Sequence, residues 1–145
     1  MSLTRALRLT SPLLPMIGWK EDICLPELDP GKLVAKIDTG ARISALHAED
    51  ISVIGRLVSF RFAGKDHEVK LIGAKRIKSS NGHTQIRPMI ETEIVLGHHR
   101  FKVAITLTDR GDMGVPMLLG REAIKGRFLV NAARIFMLGH RRFLK

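Results

Sequence analysis

Turn signals recur so closely along this chain that little room is left for helices, and the runs between them alternate apolar and polar residues as half-buried strands do. Leu33, Ala35 and Ile37 alternate with Val34 and Lys36. RLVSFRF and HEVKLIGA flank a short turn at residues 63–66 and read as a hairpin. The turn SSNGHT carries Asn81-Gly82, a pair suited to positive φ in a tight turn. QIRPMIETEIVL and RFKVAITLT, separated by GHH at residues 97–99, read as another hairpin, and RFLV, RIFML and RRFLK, the last two around Gly139-His140, as further strands. Pro88 falls inside a strand-like run and predicts an edge or a bulge there. One short helix is expected at residues 121–126, REAIKG, ending at a glycine. This order argues for an all-β barrel or sandwich.

A chain of 145 residues fits one domain with one core, and neither a linker nor an internal repeat divides it. Residues 17–145 read as that domain, preceded by an irregular arm at residues 1–16. Pro12 and Pro15 interrupt the arm, and no small-residue cleavage site follows a continuous apolar core, so it does not read as a signal peptide. No run of about 18 apolar residues predicts a membrane-spanning helix, so no membrane partner is expected. The single cysteine, Cys24, excludes an internal disulfide and a Cys-rich zinc module. It favours a reducing compartment, and the expected location is cytoplasmic.

The charge is +10, from 24 Lys and Arg against 14 Asp and Glu, and such a surface attracts anions. The basic ending HRRFLK would suit a nucleic-acid or ribosome-binding barrel. With no Tyr, one Trp and six Phe, however, the chain is poor in base-stacking material, and nucleic acid is disfavoured against an acidic polypeptide.

KIDTGARISAL, residues 36–46, contains an Asp-Thr-Gly triplet that occurs once. Asp38 closes the apolar run LVAKI, which would hold a carboxylate at the end of a rigid element. The plain alternative is a strand-to-turn junction with Asp and Gly as turn residues. Far downstream comes PMLLGREAI: an apolar pair, Leu118 and Leu119, then Gly120-Arg121 and the short helix. In that order these features resemble the retropepsin-like aspartic proteases from about Ile17 onward. The chain also resembles a bacterial family long labelled ATP-dependent zinc proteases. The motifs carrying that resemblance are IGW at 17–19, DTGARISALHA at 38–48, KSSNGHTQIR at 78–87, LTDRGDMGVPMLLGR at 107–121 and GRFLV at 126–130.

The resemblance implies a closed β-barrel of acid-protease type with one short C-terminal helix, and a catalytic Asp38, Thr39 and Gly40. Water activation of this kind needs two adjacent carboxylates sharing a proton, so a lone Asp38 implies a C2 homodimer with one Asp38 from each copy. Thr39 would brace the pair through its hydroxyl, and Gly40 would let backbone and substrate approach. Ala41, Arg42 and Arg87, with the flap residues Ser80, Asn81 and Gly82, would contact substrate. Leu118, Leu119, Gly120 and Arg121 would support the Asp38 loop. Retroviral enzymes carry an acid after Asp-Thr-Gly-Ala that pairs with the Arg of Gly-Arg, whereas this chain has Arg42. Either another acid, such as Glu122 or Asp112, is recruited, or Arg42 faces the cleft and selects an anion.

A zinc hydrolase needs about three convergent ligands, and no HExxH is present; His47 and Glu49 are spaced as on one face of a strand, and His98-His99 sit at a turn. No GxxxxGK[ST] loop would bind ATP phosphates. No metal or other cofactor is expected. Relatives of the resembled family are associated with ATP-grasp glutamate ligases acting on a ribosomal protein. That implies a peptidase for an acidic, glutamylated tail, the alternative being a non-catalytic peptide-binding module on the same fold.

Overall fold

A computed structural model describes residues 13–78 and 81–138, and the predicted alternation materialises in its strands. β1 (Met16–Gly18), β2 (Lys20–Leu25), β3 (Asp29–Ile37), β4 (Ser44–His47), β5 (Glu49–Ile54), β6 (Leu57–Phe62), β7 (Lys65–Lys70), β8 (Gly73–Lys78), β9 (Thr84–Leu96), β10 (His99–Thr108), β11 (Met117–Leu119) and β12 (Leu129–Asn131) follow in chain order. A 3-10 turn, Gly111–Met113, precedes β11, and the single α-helix among the described residues is α1 (Arg121–Ile124), shorter than the expected 121–126. β9 buries Ile90, Thr92, Ile94 and Leu96 on one face, and β6 buries Val58, Phe60 and Phe62, as a period of two requires.

Both predicted hairpins form. β6 turns into β7 through Ala63 and Gly64 alone, both at positive φ. That is the backbone twist a two-residue hairpin needs. β9 turns into β10 at Gly97 and His98. β8 pairs with β9 from Gly73↔Met89 to Lys78↔Thr84, leaving the SSNGHT segment as their connection; Ser80 lies outside the described residues. Pro88 stands opposite Ala74 of β8, beyond the point where β10 ceases to pair with β9, so its missing N–H costs no ladder bond there. RIFML, in contrast, is not a strand: residues 135–138 bend without joining a sheet, and the expected strand RRFLK lies outside the described residues.

The strands β10, β4, β11, β3, β2, β9 and β8 form one sheet in that order, and β9 also pairs with β10, so the sheet curls into a ring. It is not the closed barrel expected above. β2 and β9 meet at one residue pair, Cys24↔Val95. Continuing that antiparallel register would set Pro26 opposite Glu93, but proline has no N–H to give and the chain turns there. The Glu93 N–H donates instead to the Glu27 carboxylate at 2.8 Å. In the other direction β9 ends at Leu96. Two further sheets, β1–β12 and β5–β6–β7, stand apart from the ring. The mainly-β content with one short helix is as expected; the barrel is not. No helix among the described residues is long and apolar enough to cross a membrane.

One buried carboxylate ties the two ends of the described chain together. Glu21, fully buried in β2, accepts from the Gly18 N–H at 2.7 Å, the Met137 N–H at 2.8 Å and the Leu138 N–H at 3.0 Å. Gln at this position would keep one acceptor oxygen and turn an NH2 group toward a buried N–H. Glu21→Gln is expected to lower stability by about 1–3 kcal/mol in urea unfolding, and an unchanged midpoint would refute the clamp.

Candidate active site

β11 is the element that positions the site. It lies between β3 and β4, parallel to the first (Met117↔Ala35, Leu119↔Ile37) and antiparallel to the second (Met117↔Leu46, Leu118↔Ala45). The loop from Asp38 to Ile43 must therefore pass over the end of β11. The Asp38 N–H donates to the Leu119 carbonyl at 2.8 Å, and beyond Leu119 the Gly120 N–H donates to the buried Ser44 hydroxyl at 3.0 Å. The first two amides of α1 close the clamp: Arg121 N–H donates to the Ala41 carbonyl at 2.8 Å and Glu122 N–H to the Arg42 carbonyl at 3.1 Å. These donors have no partner within the helix, so the loop satisfies them and is fixed by them.

Within the loop, Asp38 is half-buried and its Oδ1 accepts from the Gly40 N–H at 3.2 Å. Thr39 is exposed, and its carbonyl accepts from Arg121 Nη1 at 2.9 Å. Arg42 Nη1 stands 3.7 Å from Glu122 Oε1, with both side chains more than half exposed, so the pair contributes little to stability. Glu122 is thus the acid beside Arg42, while Arg121 braces backbone; the Asp112 side chain lies outside the described residues. Arg42 also lines the cleft beside Asp38.

Two cavities meet at Asp38. One, of about 340 Å³, is lined by Asp38, Ala41, Arg42, Lys75, Arg87 and Leu118 among others. The second, of about 380 Å³, is lined by Lys36, Asp38, Arg87, Arg110, Met113 and Leu118 among others. In both linings Asp38 is the one acidic residue and three side chains are cationic. Burial, and then the nearby Arg110 charge, push the Arg87 guanidinium below its ordinary pKa.

The structure thus gathers Asp38, Gly40, Ala41, Arg42 and Arg87 around one cleft. Leu118 lines that cleft, whereas Leu119 and Gly120 are buried beneath the loop. Asn81 and Gly82 lie at the tip between β8 and β9 and line neither cavity. Lys36, Lys75 and Arg110 are cleft residues that the sequence reading missed. For Arg110 the signal lay within LTDRGDMGVPMLLGR; Lys36 and Lys75 alternate with apolar neighbours, which does not set them apart from solvent-facing lysines. His47 and Glu49 do not share a strand, because the chain leaves β4 at Ala48 and enters a different sheet. Among the described residues no three His, Cys, Asp or Glu side chains come together as a metal site.

A Cβ at Gly120 would lie 2.7 Å from the Ile43 carbonyl carbon and 3.0 Å from the Ala41 oxygen, both backbone atoms of the Asp38 loop. Gly120→Ala is expected to cost about 1–3 kcal/mol and to displace that loop, read by thermal unfolding and by amide shifts at Asp38 to Ile43.

The family model described as "Retropepsin-like aspartic endopeptidase RimB" matches residues 16–140. Among curated proteins, a chain from Shewanella halifaxensis named "Probable alpha-L-glutamate ligase" is 38% identical over 136 residues, covering 86% of this chain and 30% of that one. One of the same name from Shewanella pealeana is 36% identical over 138 residues, covering 87% and 30%. This chain therefore spans about 30% of the length of these curated relatives. Among solved structures, the Legionella pneumophila protein Lpg0085, titled as of unknown function, superposes with a TM-score of 0.69 at 29% identity, covering 85% of this chain and 97% of that one.

Proposed function

The chain belongs to the RimB-like family of retropepsin-like aspartic endopeptidases, and from that premise we propose that it is a peptidase whose water is activated between Asp38 and the Asp38 of a second copy. Family membership is consistent with peptidase activity. The observation that carries the finer reading is the solitary carboxylate: Asp38 is the one acid lining either cavity that meets at it. A dyad built on it needs a second chain, hence a C2 homodimer whose interface holds the site.

In that dimer the two carboxyl groups share one proton, because both cannot be ionised at contact. The ionised one takes a proton from water as the water oxygen bonds to the peptide carbonyl carbon, and the protonated one gives its proton to the carbonyl oxygen. Collapse of the resulting diol breaks the C–N bond and passes a proton to the leaving nitrogen. Thr39 braces the dyad across the axis, and Gly40 and Ala41 admit the substrate backbone. Arg42, Arg87 and the Ser80, Asn81 and Gly82 tip contact the substrate, while Leu118, Leu119, Gly120 and Arg121 support the loop.

The substrate class follows from charge. A cleft of cations attracts an acidic peptide, and the name of the longer relatives, glutamate ligase, points to glutamylated protein tails as the source. A ligase that adds glutamates and a peptidase that removes them would act on one tail, in the cytoplasm.

Asp38→Asn is expected to lose at least about a hundredfold of the cleavage of a glutamylated peptide, followed by mass spectrometry, with its circular dichroism unchanged. Mixing the mutant in excess with the native chain should make activity fall as the square of the native fraction. Activity falling only in proportion would defeat the shared dyad.

A further inference from the structure

Arg87 is 8% exposed, and the charged side chains nearest it in the fold are mostly cationic, Asp38 being the one acid lining the cavities it shares. In the β8–β9 ladder it stands directly opposite Lys75, where like charges on one face disfavour pairing. Arg110 lines the same cavity wall. The Arg87 Nε donates to the neutral Gln85 Oε1 at 3.0 Å, and no carboxylate among the described residues lies within ion-pair distance of the Arg87 guanidinium. Buried charges are ordinarily paired, because desolvation without a counter-charge is costly. With Asp38 in the same cavities but not ion-paired to it, a guanidinium kept here beside Lys75 and Arg110 calls for an anion from outside.

We propose that Arg87, with Lys75 and Arg110 beside it, is the receptor for one side-chain carboxylate of the substrate, and that the substrate supplies the counter-charge the fold withholds. Arg87 and Asp38 line the same two cavities, so the carboxylate is held next to the reacting bond. Guanidinium geometry suits a two-point grip on a carboxylate, which Gln or Asn cannot reproduce. A third cavity, of about 480 Å³, runs on from Arg87 and Arg110 past Lys78 and His83 with no acid in its lining. It extends the same preference to the next acidic residue of the peptide. The proposal rests on the peptidase reading only for which bond lies beside the carboxylate.

The test measures binding without cleavage, in the full chain carrying Asp38→Asn, using tetra-glutamate and its isostere tetra-glutamine in titration calorimetry. With Arg87 present, tetra-glutamate should bind at least about tenfold more tightly than tetra-glutamine. Arg87→Met should erase that preference, and it should raise the thermal midpoint of the unliganded chain by removing an unpaired buried charge. Arg87→Lys, which keeps the charge but loses the fork, should retain only part of the preference. A preference that survives in Arg87→Met, or in Arg87→Lys undiminished, overturns the proposal. A native chain that binds tetra-glutamate through Arg87 yet cleaves no glutamylated peptide would sink the peptidase reading and leave this one standing. Cleavage of such a peptide, lost in Asp38→Asn but with an acidic preference indifferent to Arg87, would do the reverse.

Discussion

Everything around Asp38 depends on three residues, Met117 to Leu119, inserted between two strands that are consecutive in the chain. Because β11 separates β3 from β4, the connection between them cannot be a tight hairpin. It must arch over the end of the inserted strand, and that arch carries Asp-Thr-Gly. The arch is anchored at both feet, by the Leu119 carbonyl at Asp38 and by the Ser44 hydroxyl at Gly120, and along its length by amides of α1. Gly120 is where the two segments come closest, and a side chain there would push against backbone on the far side. The acid is therefore borne on a loop tied by hydrogen bonds to β11 and α1.

The electrostatic character of the cleft comes largely from strands, with Arg42 of that loop and Arg110 beyond β10 adding to it. Lys36 comes from β3, Lys75 from β8 and Arg87 from β9, all on elements whose side-chain directions are dictated by the pleat. A basic net charge alone says little about where an anion would go. Three regular strands converging their cations on one half-buried carboxylate says much more. Such a field favours ligands carrying several negative charges and is weakened by salt, least where Arg87 is buried.

Much of this was legible in the residues, and the exceptions share a cause. The β6–β7 and β9–β10 hairpins, the strand running into Asp38 and the helix starting at Arg121 all leave local marks: alternation, a turn dipeptide, a glycine before an amphipathic run. The insertion of β11 leaves none, because its partners are distant in sequence and a three-residue strand has too few positions to reveal a period. β2 hides for another reason: KEDICL buries Glu21 and Asp22, reversing the rule that charges mark the solvent face. The closed barrel failed where β2 and β9 meet at one residue pair, with the chain turning at Pro26 on one side and β9 ending at Leu96 on the other. Pro26 sits where that ladder would continue and has no N–H to donate to it. Lys75 was not singled out, because alternation identifies faces without saying which face meets a cleft.

The Glu21 clamp bears on how the cleft comes into being. Its bonds to Met137 and Leu138 span 116 and 117 positions, and the parallel β1–β12 pair joins segments nearly as far apart. Loops that long must close before the contacts that reward them exist, so assembly is slow and governed by topology. A nascent chain that has emerged only as far as α1 has Asp38, its arch and its cations, but lacks the segment that buries the Glu21 carboxylate. Two of the bonds that hold the Glu21 carboxylate therefore come from the last two described residues, Met137 and Leu138.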